Sequence, residues 1–76
     1  MKELLLYIAR SLVDEPDAVT VTEYEGDDET VFELRVAPGD MGKVIGRHGK
    51  IAKEIRALMR SVAARQGTRV SVDIVD

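Results

Sequence analysis

The chain has 76 residues, a length for one domain with a small core that must pack efficiently. It contains no cysteine, which excludes a disulfide scaffold, a thiol nucleophile and a cysteine-ligated zinc site. The net charge of −3 conceals a division: residues 1–40 carry three basic side chains against eleven acidic ones, and residues 41–76 carry eight against three. That polarity predicts a basic face on an acidic body.

Residues 2–13 place Leu4, Leu5, Ile8, Leu12 and Val13 at helical spacing, which predicts an amphipathic helix that ends before Pro16. The apolar run Leu4–Leu6 belongs to this helix; acids follow it, and no small-residue cleavage site marks it as a leader. No apolar run reaches the length of a membrane span, so no membrane partner is expected and a reducing cytoplasm suits the chain. Residues 18–25 alternate, with Val19 and Val21 on one face and Thr20, Thr22 and Tyr24 on the other. After the turn Gly26-Asp27-Asp28, residues 30–37 alternate again, with Phe32, Leu34 and Val36 on one face, and the pair predicts an antiparallel hairpin.

Pro38-Gly39-Asp40 breaks the pattern, and Asp40 is placed to cap a short helix over Met41–Ile45. Gly46-Arg47-His48-Gly49 interrupts that helix. A longer one then runs to about Arg65, with Ala52, Ile55, Leu58, Met59 and Val62 on its buried side and Gly67 as its left-handed terminator. Val70, Val72 and Ile74 face inward from a last strand over 69–75. The predicted order is α-β-β-α-α-β. A two-helix crossover between the second and third strands fits parallel pairing, so the fold class is α+β: a three-stranded mixed sheet with three helices on one face.

Two glycines three apart, opening into a helix start, make a loop whose backbone a ligand can approach closely. Unpaired N–H groups and the positive end of the helix dipole favour a phosphate there, and Arg47, Lys50 and Lys53 add full charges. The arrangement suits a sugar–phosphate backbone passing over the loop. A Walker loop is excluded, because the spacing is wrong and Ile51 stands at the hydroxyl position; a dinucleotide fingerprint would need glycine at Val44.

The stretch Val44-Ile45-Gly46-Arg47-His48-Gly49-Lys50-Ile51-Ala52-Lys53-Glu54-Ile55 resembles the signature of the KH domain family: Val-Ile-Gly-x-x-Gly, with isoleucine at the third and sixth positions after the second glycine. Ile55 matches the sixth position, and Ala52 departs at the third. The element order resembles the type II KH arrangement. The length and Leu12-Val13-Asp14-Glu15-Pro16 resemble the bacterial KhpA family, built of one KH domain, so residues 1–76 are expected to be a single KH domain. The resemblance implies a non-catalytic RNA-binding protein that holds about four single-stranded nucleotides with the Gly46–Gly49 loop as clamp. Lys43 and Lys50 would flank it. Val44, Ile45 and Ile55 would form an apolar floor under the bases, with Val36 and Leu34 weaker candidates. It further implies a role as an RNA chaperone or post-transcriptional regulator, with links to cell division and cell shape. The implied partner is a KhpB-like RNA-binding protein or a second copy, as heterodimer or homodimer.

Other features carry less. His48 is the only histidine and has no ligand-spaced companion, so neither catalysis nor a metal is expected of it; as a loop residue it can meet phosphate or solvent. Tyr7 is expected to pack within its helix and Tyr24 to lie on the open sheet face, and neither is needed for base stacking. Asp27, Asp28 and Glu29 read as a solvated turn, and Met41 and Met59 as packing. No cofactor and no small-molecule substrate are implied, and no paired acid–base or nucleophile constellation stands near the glycines. The competing reading is a protein-interaction subunit that keeps the KH fold and docks a partner chain at Met41–Ile45. Single-stranded DNA in place of RNA is left open by the residues alone.

Overall fold

The computed structural model describes residues 1–76. Helix α1 (Lys2–Leu12) is followed by strands β1 (Thr20–Glu25) and β2 (Thr30–Arg35), helices α2 (Met41–Ile45) and α3 (Lys50–Arg65), and strand β3 (Val70–Val75). The strands form one sheet in the order β1-β2-β3, with β1 antiparallel and β3 parallel to the central β2. This is the expected α+β architecture in the type II KH order.

The hairpin register pairs Val21 with Leu34 and Glu25 with Thr30. Its turn is closed by the Gly26 N–H, which donates to the Glu29 carbonyl at 2.7 Å. In the parallel pair Phe32 lies beside Val72 and Leu34 beside Ile74. Alternation therefore sends Val21, Phe32, Leu34, Val70 and Val72 to one side, where they meet Leu5 and Ala9 of α1, Val44 of α2, and Ile55, Met59 and Ala63 of α3 in one core. Phe32, Leu5, Leu34, Met59 and Val44 are its largest fully buried side chains. The other side of the sheet carries Thr20, Thr22 and Tyr24 from β1, and Tyr24 is half exposed there as expected.

Helix α3 ends in a Schellman arrangement. The Gly67 N–H donates to the Ala64 carbonyl and the Thr68 N–H to the Ala63 carbonyl, with Gly67 at φ +72°. Helix contact faces differ in detail from the expectation. Leu58 is exposed and Val62 only partly buried, whereas Ala63 is in the core. In α1 the deep positions are Leu5 and Ala9, while Leu12 lies at the surface and Tyr7 is 72% exposed, so Tyr7 does not pack as predicted.

Asp40 also departs from expectation. It makes no side-chain cap to α2. Its carboxylate is buried and accepts the Glu15 N–H at 3.0 Å, which ties the α1–β1 connection to the start of α2.

Candidate nucleic-acid interface

The loop between α2 and α3 takes its shape from three residues at positive φ. Gly46 lies at φ +76°, His48 at +59° and Gly49 at +73°. A left-handed conformation at a residue with a side chain costs roughly 1–3 kcal/mol and persists only where surroundings enforce it. Here the Gly49 N–H donates to the Gly46 carbonyl at 3.2 Å, and the Gly46 N–H to Gly42 at 2.9 Å, which closes the loop on both sides of His48. A β-carbon on Gly49 would meet nothing within 4 Å. The space in front of that glycine is open to a ligand.

Gly49 also starts α3, and no side chain caps that helix. The Lys50 N–H donates to the Arg47 carbonyl, and the other first-turn N–H groups stand without a side-chain cap at the positive end of a helix of 16 residues. Around them Arg47, His48, Lys50 and Lys53 line a shallow cavity of about 380 Å³. None of these basic side chains is in an ion pair. A phosphate here would meet backbone donors, a helix dipole and three cations together.

The remaining expected residues lie elsewhere. Lys43 points away from the clamp and is paired with Asp14 at 3.2 Å and with Asp40 at 3.4 Å. Hydrogen bonding and charge from Asp14, with Asp40 adding to them, hold its ammonium pKa above the ordinary lysine value. Burial disfavours the charged form of Asp40, but the N–H groups of Glu15 and Asp14 and the Lys43 ammonium outweigh it and leave that carboxyl below its usual value. Val44 and Ile55 are core residues, as are Leu34 and Val36; Val44 and Leu34 are fully buried, while Ile55 and Val36 keep 4% and 8% of their surface exposed. Ile45 and Met41 are half buried against the same core.

Two residues of the face were not legible in the loop motif. Arg56 and Arg60 continue the flank of α3 that carries Lys53, and with Val70, Ser71, Val72 and Asp73 they line a second cavity of about 320 Å³. It lies along the edge of β3 that has no neighbouring strand. Arg56 Nε donates to the Val72 carbonyl at 3.0 Å. The spacing of Lys53, Arg56 and Arg60 holds the sequence signal for this stripe, but only the fold shows which edge it faces.

The family model described as KhpA/KhpB, KH domain, matches residues 2–74. The chain belongs to the KhpA/KhpB KH-domain family. The RNA-binding protein KhpA of Clostridium acetobutylicum is 52% identical over 75 residues, which cover 99% of this chain and 100% of that protein. The protein of the same name from Chlamydia trachomatis is 46% identical over 76 residues, covering 100% and 97%. Among solved structures, Aquifex aeolicus Era bound to GDP and aluminium fluoride aligns with a TM-score of 0.66 at 25% identity. The match covers 96% of this chain and spans 28% of that one. Era in complex with MgGDPNP and nucleotides 1506–1542 of 16S ribosomal RNA aligns with the same scores. The KH-domain alignment thus takes in the loop, both flanking helices and β3.

Proposed function

We propose that this chain is a non-catalytic RNA-binding protein that holds about four nucleotides of single-stranded RNA along the Gly46–Gly49 loop, the start of α3 and the open edge of β3. The observation that carries the reading is the loop: three residues at positive φ lead into an α3 N-terminus that no side chain caps, beside Arg47, Lys50 and Lys53, none of which has a carboxylate partner. The sugar–phosphate backbone crosses the loop, and bases turn toward the cleft between α3 and β3. The printed names of the relatives, RNA-binding protein KhpA, support the same ligand.

A face without aromatic side chains gives up base stacking, so one chain binds weakly. Avidity from a second groove would compensate, supplied by another copy or by a KhpB-like partner, and a weak, broadly selective binder of this kind suits RNA chaperoning or post-transcriptional control. Leu12 and Leu58 are further exposed apolar side chains outside Met41–Ile45 that such assembly would cover.

The test is the double variant Arg47→Asp with His48→Asp, titrated against short single-stranded RNA. Both side chains are exposed, so the fold is retained while two carboxylates repel phosphate. Loss of RNA binding with an unchanged melting profile is the expected result. Undiminished affinity would remove the loop from the interface.

A further inference from the structure

We propose that Arg56 selects the base that enters the α3–β3 cleft and that it favours guanine, an inference that rests on the RNA-binding reading above. Strand β3 ends the sheet, and its side away from β2 has no partner strand. The Thr30 N–H takes the Arg69 carbonyl, and alternation then turns the Val70 and Val72 backbone groups to the open side. There Arg56 Nε already occupies the Val72 carbonyl.

This contact does two things. It fixes the plane of a guanidinium whose terminal nitrogens remain without a carboxylate partner, beside a cavity of about 320 Å³. It also removes an acceptor from the strand edge and adds donors in its place. An unguarded edge offers N–H and C=O together and suits a base that offers a donor beside an acceptor, such as adenine with N6 and N7. With Val72 engaged, the part of the wall at Arg56 presents guanidinium N–H donors, and the acceptors left in the lining are the Val70 carbonyl and the Asp73 carboxylate. Adenine would then bring its amino group against N–H donors and leave it unpaired. Guanine presents N7 and O6, two adjacent acceptors, and a guanidinium meets that pair with two parallel hydrogen bonds. Arg60, in the same lining and free of ion pairs, adds positive potential to the acceptor edge.

The experiment is fluorescence anisotropy of the full chain with oligouridylates of about six nucleotides, long enough to reach from clamp to cleft, that carry one guanosine, adenosine, cytidine or uridine near the centre. The guanosine oligomer is expected to bind about tenfold more tightly than the adenosine one, the value of one good bidentate contact. Replacing guanosine by 7-deazaguanosine removes the N7 acceptor and is expected to erase most of that difference on the unaltered protein. Arg56→Lys keeps the charge but not the fork, so it should flatten the base preference. Equal binding of the four oligomers, a preference for adenosine or cytidine, or an unchanged preference with 7-deazaguanosine overturns the base selection and leaves the clamp standing. Failure to bind any oligomer overturns both.

Discussion

Ile51 packs against Gly46 so closely that a β-carbon on the glycine would lie 2.6 Å from Ile51 Cγ1. The contact comes from the root of the isoleucine side chain, which cannot swing aside. Gly46 thus needs both its positive φ and its missing side chain, whereas Gly49 needs only its φ. Gly49→Ala is expected to cost about 1–2 kcal/mol of stability, the penalty of a left-handed alanine. Gly46→Ala should cost more, by about 1–3 kcal/mol for the overpacking. Chemical denaturation of the two variants checks the order, and equal losses would contradict the packing argument.

Salt dependence counts the cations that reach phosphate. Arg47, Lys50 and Lys53 predict a slope of log affinity against log salt near −2, from about −0.7 for each contact on a single strand. Lys43 is left out, because Asp14 and Asp40 hold it. Asp14→Asn loosens that hold, and the slope should steepen by up to about 0.7 as Lys43 becomes available. Titrations from low to moderate salt decide the matter; a flat response in the parent chain would exclude the electrostatic account.

Adjacent residues of α3 should respond in opposite ways. Met59 is fully buried and Leu58 is 47% exposed. Met59→Ala is expected to cost about 2–5 kcal/mol, and Leu58→Gln to stay within about 0.5 kcal/mol. Urea midpoints of the two variants provide the comparison.

Asp40 gives stability an acid limb. Its folded pKa lies below the ordinary carboxyl value of 3.8, because the Glu15 and Asp14 N–H groups and Lys43 overcome the effect of burial. The unfolded chain therefore takes up the proton first as pH falls. The contribution is complete above about pH 4 and is lost between that value and the lower folded pKa. Lys43 gives the mirror case: its folded pKa is raised, so its share is complete below the ordinary lysine value of 10.5 and is lost as pH rises through the folded value. Melting profiles of Asp40→Asn between neutral and strongly acid pH should show a shallower acid decline than the parent chain. An identical decline would assign the limb to other carboxylates.

The element order was legible because local rules agreed along the chain. Alternation marked Val19–Val21, Phe32–Val36 and Val70–Ile74, the helical period marked both long helices, and Pro16 and Gly67 stood near their ends. The clamp was legible for a similar reason: two glycines and the basic residues beside them lie within eight positions, Gly46 to Lys53. What the sequence concealed was non-local. The apolar side of α3 is wide enough in sequence to include Leu58, but the fold buries the face of Ile55, Met59 and Ala63 and leaves Leu58 47% exposed. Asp40 looks like a helix cap until Glu15, 25 residues earlier, folds back onto it. Lys43 looks like a clamp residue until that same fold brings Asp14 within 3.2 Å. Arg56 is one more surface cation until β3 arrives beside it.

The seat of Arg56 on Val72 has a second consequence, for solubility. A six-residue edge strand, Val70 to Val75, with β-branched residues facing inward and its outer backbone unpaired, is a template on which a stray polypeptide can extend a sheet into an aggregate. Arg56 fills one of the carbonyls such a strand would need, and Arg60 sets another cation in its path. A second polypeptide would have to displace a guanidinium and bury its charge to pair there, while a polyanion gains from the same charges. The edge is thereby guarded at Val72 against amyloid-like extension by the same charges that would attract a polyanion.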